Sequence, residues 1–138
     1  MTLRVVVADD HPPFRRAARA LLAASVGFEV VGEAASGEQA VALARALRPD
    51  LVLMDITMDG IGGIAAARAL HASHPETATI LVSTYREEDL PREARTCGAA
   101  GYVHKAELDA GVLTRLLRGR GSRPSRACGP TSPSSDRA

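Results

Sequence analysis

Four short apolar runs in this chain each close on a residue that could do chemistry. Arg4-Val5-Val6-Val7-Ala8 runs into Asp9-Asp10, Leu51-Val52-Leu53-Met54 into Asp55, Thr79-Ile80-Leu81-Val82 into Ser83-Thr84, and Gly101-Tyr102-Val103-His104 into Lys105. Lys105 is the single lysine beside sixteen arginines, and its compact ammonium is a point charge that a planar, forked guanidinium does not reproduce. If the runs are parallel strands, three carboxylates, a hydroxyl and an ammonium meet at one sheet edge. Carboxylates packed alone repel and push one another's pKa upward, so such a cluster calls for a cation. Mg²⁺ fits, because it takes oxygen ligands, keeps several waters and commonly joins one or two carboxylates to a phosphate. Zinc would want His or Cys, and His11 is read as a helix-entry residue.

With magnesium in place, the remaining groups read as a phosphoryl-transfer site. A carboxylate can accept a phosphoryl group as an aspartyl-phosphate, and the rest of the task is positioning and charge neutralisation. Asp55 is the candidate acceptor. The metal would neutralise one phosphoryl oxygen, the Lys105 ammonium a second, and the Ser83 hydroxyl would donate to a third.

The elements that must position these groups alternate along residues 1–118. After Asp10, His11-Pro12-Pro13 suits a helix entry, and Phe14, Ala17, Ala18, Leu21 and Leu22 recur at helical spacing. A second strand covers Glu29–Ala34; Ser36 then caps a helix, with Gln39 three residues on and Pro49 as its stop. A third helix is predicted from Ile64 through Leu70. A fourth covers roughly Glu87–Cys97, with Pro91 tolerable only near its first turn and Gly98 as its C-terminal stop. Leu108, Val112, Leu113, Leu116 and Leu117 give a fifth helix its apolar face.

Five strands each followed by a helix imply an α/β domain, a five-stranded parallel sheet with helices on both faces and strand order 2-1-3-4-5, as in flavodoxin-like folds. Ligands of such sheets bind beyond the carboxyl ends of the strands where strand order reverses, here between strands one and three. Asp9, Asp10 and Asp55 fall on that point.

Composition bounds the reading. A chain of 138 residues, 46% hydrophobic and 24% charged with net charge +1, has room for one ordinary globular domain. No apolar stretch approaches a membrane span, and the N-terminus enters a strand directly, so a cytoplasmic setting is expected. Cys97 and Cys128 have neither metal-ligand spacing nor the density of a disulfide scaffold and are expected as reduced thiols. Residues 1–118 carry a balance of −2 and residues 119–138 a balance of +3. From Gly119 onward no Val, Leu, Ile or Phe occurs, so residues 119–138 are expected to form a disordered Arg/Ser/Pro/Gly-rich tail.

On these residues the chain resembles the receiver domains of bacterial two-component response regulators, over nearly all of residues 3–118. The motifs are Asp9-Asp10, Met54-Asp55-Ile56-Thr57-Met58 with Gly63 beyond, Ser83-Thr84, and Gly98-Ala99-Ala100-Gly101-Tyr102-Val103-His104-Lys105. The Ser-Thr-Tyr and Gly-Ala-x-Gly-Tyr wording is similar to the NarL/FixJ subgroup. The resemblance implies a CheY-like fold in which Asp9, Asp10 and Asp55 bind Mg²⁺ with the backbone carbonyl of Thr57. Asp55 would take a phosphoryl group from a sensor histidine kinase or phosphotransfer protein, gripped by Ser83 and Lys105. Tyr102 matches the aromatic switch residue, whose rotation would bias the face formed by the fourth helix, fifth strand and fifth helix (the α4-β5-α5 face) toward homodimerisation or partner binding. Such a protein is a signalling receiver that assists its own phosphorylation rather than an enzyme.

Two departures from the family pattern stand out. Asp59 occupies the position where the family usually has proline, adding an acid near the pocket. Relatives in this subgroup continue into a helix-turn-helix module, which residues 119–138 cannot supply. The chain is therefore expected not to bind DNA directly, as either a stand-alone receiver or a truncated transcriptional regulator. A flavodoxin-like nucleotide site is disfavoured because Asp9-Asp10 would repel a phosphate without metal, and an aspartate-nucleophile phosphatase because Thr57 stands where its second aspartate would be.

Overall fold

Ser36 opens its helix as the sequence predicts: its hydroxyl accepts from Gln39 N at 3.1 Å, while the Gln39 side chain accepts from Ala35 N at 2.8 Å. That helix ends at Arg48, which adopts a left-handed conformation (φ 48) directly before Pro49. A residue preceding proline is excluded from continuing the helix. In the computed structural model, which describes residues 2–121, the order is β1 (Leu3–Ala8), α1 (Pro12–Ala23), β2 (Phe28–Ala34), α2 (Gly37–Leu47), β3 (Leu51–Asp55), α3 (Gly62–Ser73), β4 (Ala78–Ser83), β5 (Gly101–His104) and α4 (Ala110–Gly121).

The strands form one parallel sheet in the order β2-β1-β3-β4-β5, as expected. Alternation along each strand divides the core. Val5, Val7, Leu51, Leu53, Ile80, Val82 and Val103 pack with Ala18 and Leu22 of α1 and Leu113 of α4. Val6, Ala8, Val52, Met54 and Leu81 pack with Ala40 and Ala44 of α2 and Ala66, Ala67 and Leu70 of α3. β1, β3 and β4 are buried on both faces, which is why they read as continuous apolar runs. No helix is long and apolar enough to cross a membrane among the described residues.

The fourth predicted helix is not there. Residues 87–97 instead form two 3₁₀ turns, Glu87–Asp89 and Arg92–Arg95. The cause is Pro91. Leu90 before it is extended (φ −66, ψ 140) and Pro91 itself continues extended (ψ 147), since the pyrrolidine ring disfavours helical geometry in the preceding residue and offers no N–H. The Arg95 guanidinium donates to Glu87 O at 2.9 Å, tying the second turn to the first. Ala94 and Cys97 still reach the core, and Gly98 closes the segment at φ +93, packed so tightly on His71 of α3 that a β-carbon would strike the ring. Cys97 is a buried free thiol.

The last helix, expected to include Leu108 in its apolar face, begins only at Ala110, Leu108 being extended at the end of the preceding turn, and runs to Gly121, slightly past the boundary placed at Arg118. Residues 122–138, which hold most of the expected tail together with Cys128, lie outside the described residues.

Candidate functional site

The chain leaves β1 at Ala8, and Asp9 is then fixed by its own backbone. Its N–H donates to Ala34 O at 2.9 Å and its carbonyl accepts from the Arg15 guanidinium at 2.6 Å. The side chain is buried. Oδ1 accepts from His11 N at 2.8 Å, whereas Oδ2 receives no hydrogen bond and has only the Lys105 ammonium, at 2.7 Å, outside hydrogen-bonding geometry. Asp10 is half-buried, and the exposed His11 ring approaches it at 3.7 Å. One ligand atom each from Asp9, Asp10 and His11 lies within 4.8 Å of the others. His11 thus both precedes α1, as the sequence predicts, and stands inside the acidic cluster, which the sequence reading had not assigned it.

Asp55 ends β3 and is buried. Its Oδ1 accepts from Thr57 N at 3.3 Å, and its Oδ2 lies 3.6 Å from Lys105 Nζ. Burial pushes the Asp55 carboxyl up from 3.8 to about 6; the Asp9 charge adds to this, Lys105 and the Thr57 N–H oppose it, and Asp10 adds a smaller push. The first turn of α3 comes very close here. A β-carbon on Gly63 would sit 1.9 Å from the Asp55 carbonyl oxygen, so only glycine permits this approach.

Ser83 ends β4, buried, with its hydroxyl oxygen accepting from Tyr85 N at 3.1 Å. That bond leaves the hydroxyl proton free to donate elsewhere. Lys105 follows β5 and opens a 3₁₀ turn over Lys105–Glu107. Its side chain is 17% exposed, and its ammonium rests over the Phe14 ring of α1, 4.6 Å from the centroid. Phe14 had been recognised only as part of an apolar stripe.

These ends form a cleft of about 360 Å³ lined by Asp10, His11, Asp55, Thr57, Ser83, Thr84, Tyr85 and Lys105. Asp9 lies buried beside it. The expected residues therefore converge, with one difference of pairing: Lys105 is nearer to Asp9 than to the candidate acceptor Asp55. Asp59 does not line the cleft. It is exposed, and its carbonyl accepts from Gly37 N at 3.4 Å, pairing the loop after β3 with the start of α2.

Tyr102, half-buried on β5, donates its hydroxyl to the backbone carbonyls of Ser83, at 3.2 Å, and Tyr85. Burial raises its pKa above the usual phenol value, the Ser83 side chain opposing, so it is neutral at ordinary pH. Two further clefts, of about 370 and 240 Å³, share Tyr102 and Glu87 and lie toward the 3₁₀ turns, away from the carboxylates.

The donor set suits a hard cation. All but one of the candidate ligands are oxygens, and a buried carboxylate oxygen without a hydrogen bond is what a bound ion would satisfy.

Comparison with known proteins decides the family. The description of the response regulator receiver domain matches residues 5–118. The chain belongs to this family. The response regulator GacA of Pseudomonas viridiflava is 45% identical over 103 residues, covering 75% of this chain and 48% of that protein. UvrY of Escherichia coli K12 is 37% identical over 114 residues, covering 83% and 52%. The receiver therefore spans about half the length of the curated relatives it matches. Among solved structures, the signal receiver domain of the putative response regulator NarL from Mycobacterium tuberculosis superposes with a TM-score of 0.79 at 34% identity, covering 88% of this chain and 98% of that one. The response regulator domain of Thermotoga maritima CheB gives 0.77 at 27%, covering 90% and 100%. The receiver is of the NarL/FixJ subgroup with the CheY-like fold, and its function is that of a phosphoacceptor switch in two-component signalling.

Proposed function

We propose that Asp55 is the phosphoacceptor of this receiver. The observation that carries this is the meeting of a buried carboxylate, an available hydroxyl and a partly buried ammonium on one cleft at the sheet's switch point. An Asp55 carboxylate oxygen attacks the phosphorus of the donor in line. A new carboxyl O–P bond forms as the bond from phosphorus to the donor breaks, and the donor leaves with that bonding pair and takes up a proton. The Lys105 ammonium and the Ser83 hydroxyl stabilise the equatorial oxygens. Asp9, Asp10 and Asp55, with the Thr57 carbonyl, would hold Mg²⁺, which supplies neutralisation of charge between carboxylates and phosphate.

The donor fitting this cleft is a phosphohistidine on a sensor kinase or phosphotransfer protein, in the cytoplasm. Response is read through Tyr102. Its hydroxyl is tied to the Ser83 and Tyr85 carbonyls, so drawing Ser83 toward a phosphoryl group moves the tyrosine's anchor and biases the face made by residues 87–97, β5 and α4 toward homodimerisation or partner binding. A second reading has support in the length of the relatives: this receiver is the regulatory half of a transcriptional regulator whose helix-turn-helix module carries the DNA contact.

The test is intact mass after incubation with Mg²⁺ and a small-molecule phosphodonor. An acid-stable, base-labile adduct is expected in the native chain and not in Asp55→Asn or with the metal chelated. An adduct that survives Asp55→Asn refutes the assignment.

A further inference from the structure

Resting on the phosphoacceptor reading above, we propose that Phe14 is a positioning residue for that chemistry, its ring holding the Lys105 ammonium against the carboxylates. Lysine carries a flexible four-carbon stem and an ammonium that prefers water, so its default is to extend outward. Here it does not. The side chain is 17% exposed, and Nζ lies 4.6 Å from the Phe14 centroid, 2.7 Å from Asp9 Oδ2 and 3.6 Å from Asp55 Oδ2. Carboxylates hold one side of the ammonium and an aromatic face holds another.

The ring is itself held. Phe14 stands in the first turn of α1, just past the acidic pair, and packs partly buried against the core cluster to which Val7, Leu53 and Val103 belong. A cation over an aromatic face is attracted by the ring quadrupole, the more so when the site is dry. The ring fixes the ammonium without adding a further negative charge to those of Asp9 and Asp55. A carboxylate in the same place would also hold Lys105, but it would repel an incoming phosphoryl group; a ring holds the cation and leaves its charge available to the transferred oxygens.

The single lysine in the chain makes the test direct, because isotope-labelled lysine gives one side-chain spectrum with no assignment needed. In the native chain the Lys105 ε-CH₂ protons are expected upfield of free lysine, shielded by the ring. Phe14→Leu, which keeps an apolar contact but removes the quadrupole, is expected to abolish that displacement and to slow formation of the phosphoryl adduct roughly two- to thirtyfold. Phe14→Tyr retains the ring and is expected to keep both. Native-like adduct formation in Phe14→Leu, equal slowing in Phe14→Leu and Phe14→Tyr, or an unshifted native lysine overturns the proposal. Should Phe14→Leu fail to fold, Phe14→Met takes its place with the same readings. A shifted lysine in a native chain that forms no adduct overturns the phosphoacceptor reading and the role with it, leaving the ring contact standing.

Discussion

Replacing Asp55 by asparagine should make the metal-free protein more stable, although it removes the group on which the proposed chemistry depends. The carboxyl has a pKa of about 6 in the folded chain against 3.8 ordinarily, chiefly because it is buried and secondly because Asp9 lies beside it. A raised acid binds its proton more tightly in the folded state, so between pH 3.8 and about 6 the folded chain retains a proton that the unfolded chain releases. Stability falls as pH rises through that window. Above it the ionised carboxylate destabilises the fold by about 3 kcal/mol, from a shift of about two units at about 1.4 kcal/mol each. Asp55→Asn, in chelator at pH 7.5, should recover about 2–3 kcal/mol, a rise in melting temperature of roughly 6–12 °C. At pH 4 the difference should shrink below about 1 kcal/mol, because the native carboxyl is then largely protonated. Thermal melts of both chains from pH 4 to 8 measure this. A gain that does not change with pH, or no gain at all, would refute the claim that an incompletely compensated buried charge sits at the end of β3. Mg²⁺ should narrow the gap at pH 7.5, since it stabilises the native chain by mass action and has one fewer carboxylate to hold in the variant.

Lys105→Met should destabilise the metal-free chain by about 3 kcal/mol in denaturant unfolding, because it strips the buried Asp9 of the one counter-charge paired with it among the described residues. Gly63→Ala should cost more than about 2 kcal/mol in the same assay and slow adduct formation, since the added methyl collides with the Asp55 carbonyl. Pro91→Ala should restore an N–H and free Leu90 from its extended conformation, letting residues 87–97 close into a helix, visible as deeper circular dichroism at 222 nm; an unchanged spectrum would show that the proline is not what breaks the helix.

Much of the fold was legible because strand and helix periods differ and because each strand buried on both faces is a continuous apolar run. Ser36, Gln39 and Pro49 punctuate α2 as their chemistry dictates. The sheet edge was legible for a related reason: a polar residue closing an apolar run has to emerge where the strand does. Residues 87–97 were misread because Pro91 falls where a helix's first turn could accept it and Gly98 where a helix would stop, whereas the ring holds Leu90 extended and splits the segment. Pairings within the site could not be read from sequence. Two carboxylates, Asp9 and Asp55, converge on one ammonium, and which of them lies nearer depends on how α1 and β5 pack. Phe14 was hidden because the helical stripe that seats it in the core already accounts for an aromatic there. Tyr102 was singled out, but its anchors are backbone carbonyls, which carry no sequence signal.

The two walls of the cleft are held very differently. On the Asp55 side, the loop after β3 is fastened to the start of α2: Glu38 accepts from Ile61 N at 3.1 Å, and Gly37 N donates to Asp59 O. On the Ser83 side, the chain passes into two 3₁₀ turns separated by an extended Leu90-Pro91, without the hydrogen-bond ladder of a helix. The pocket resembles a vice with one fixed jaw. A load placed between the jaws should move the side held by the Tyr102 and Arg95 side chains more than the side fastened to α2, so what arrives at Asp55 is expected to displace chiefly the β4–β5 side.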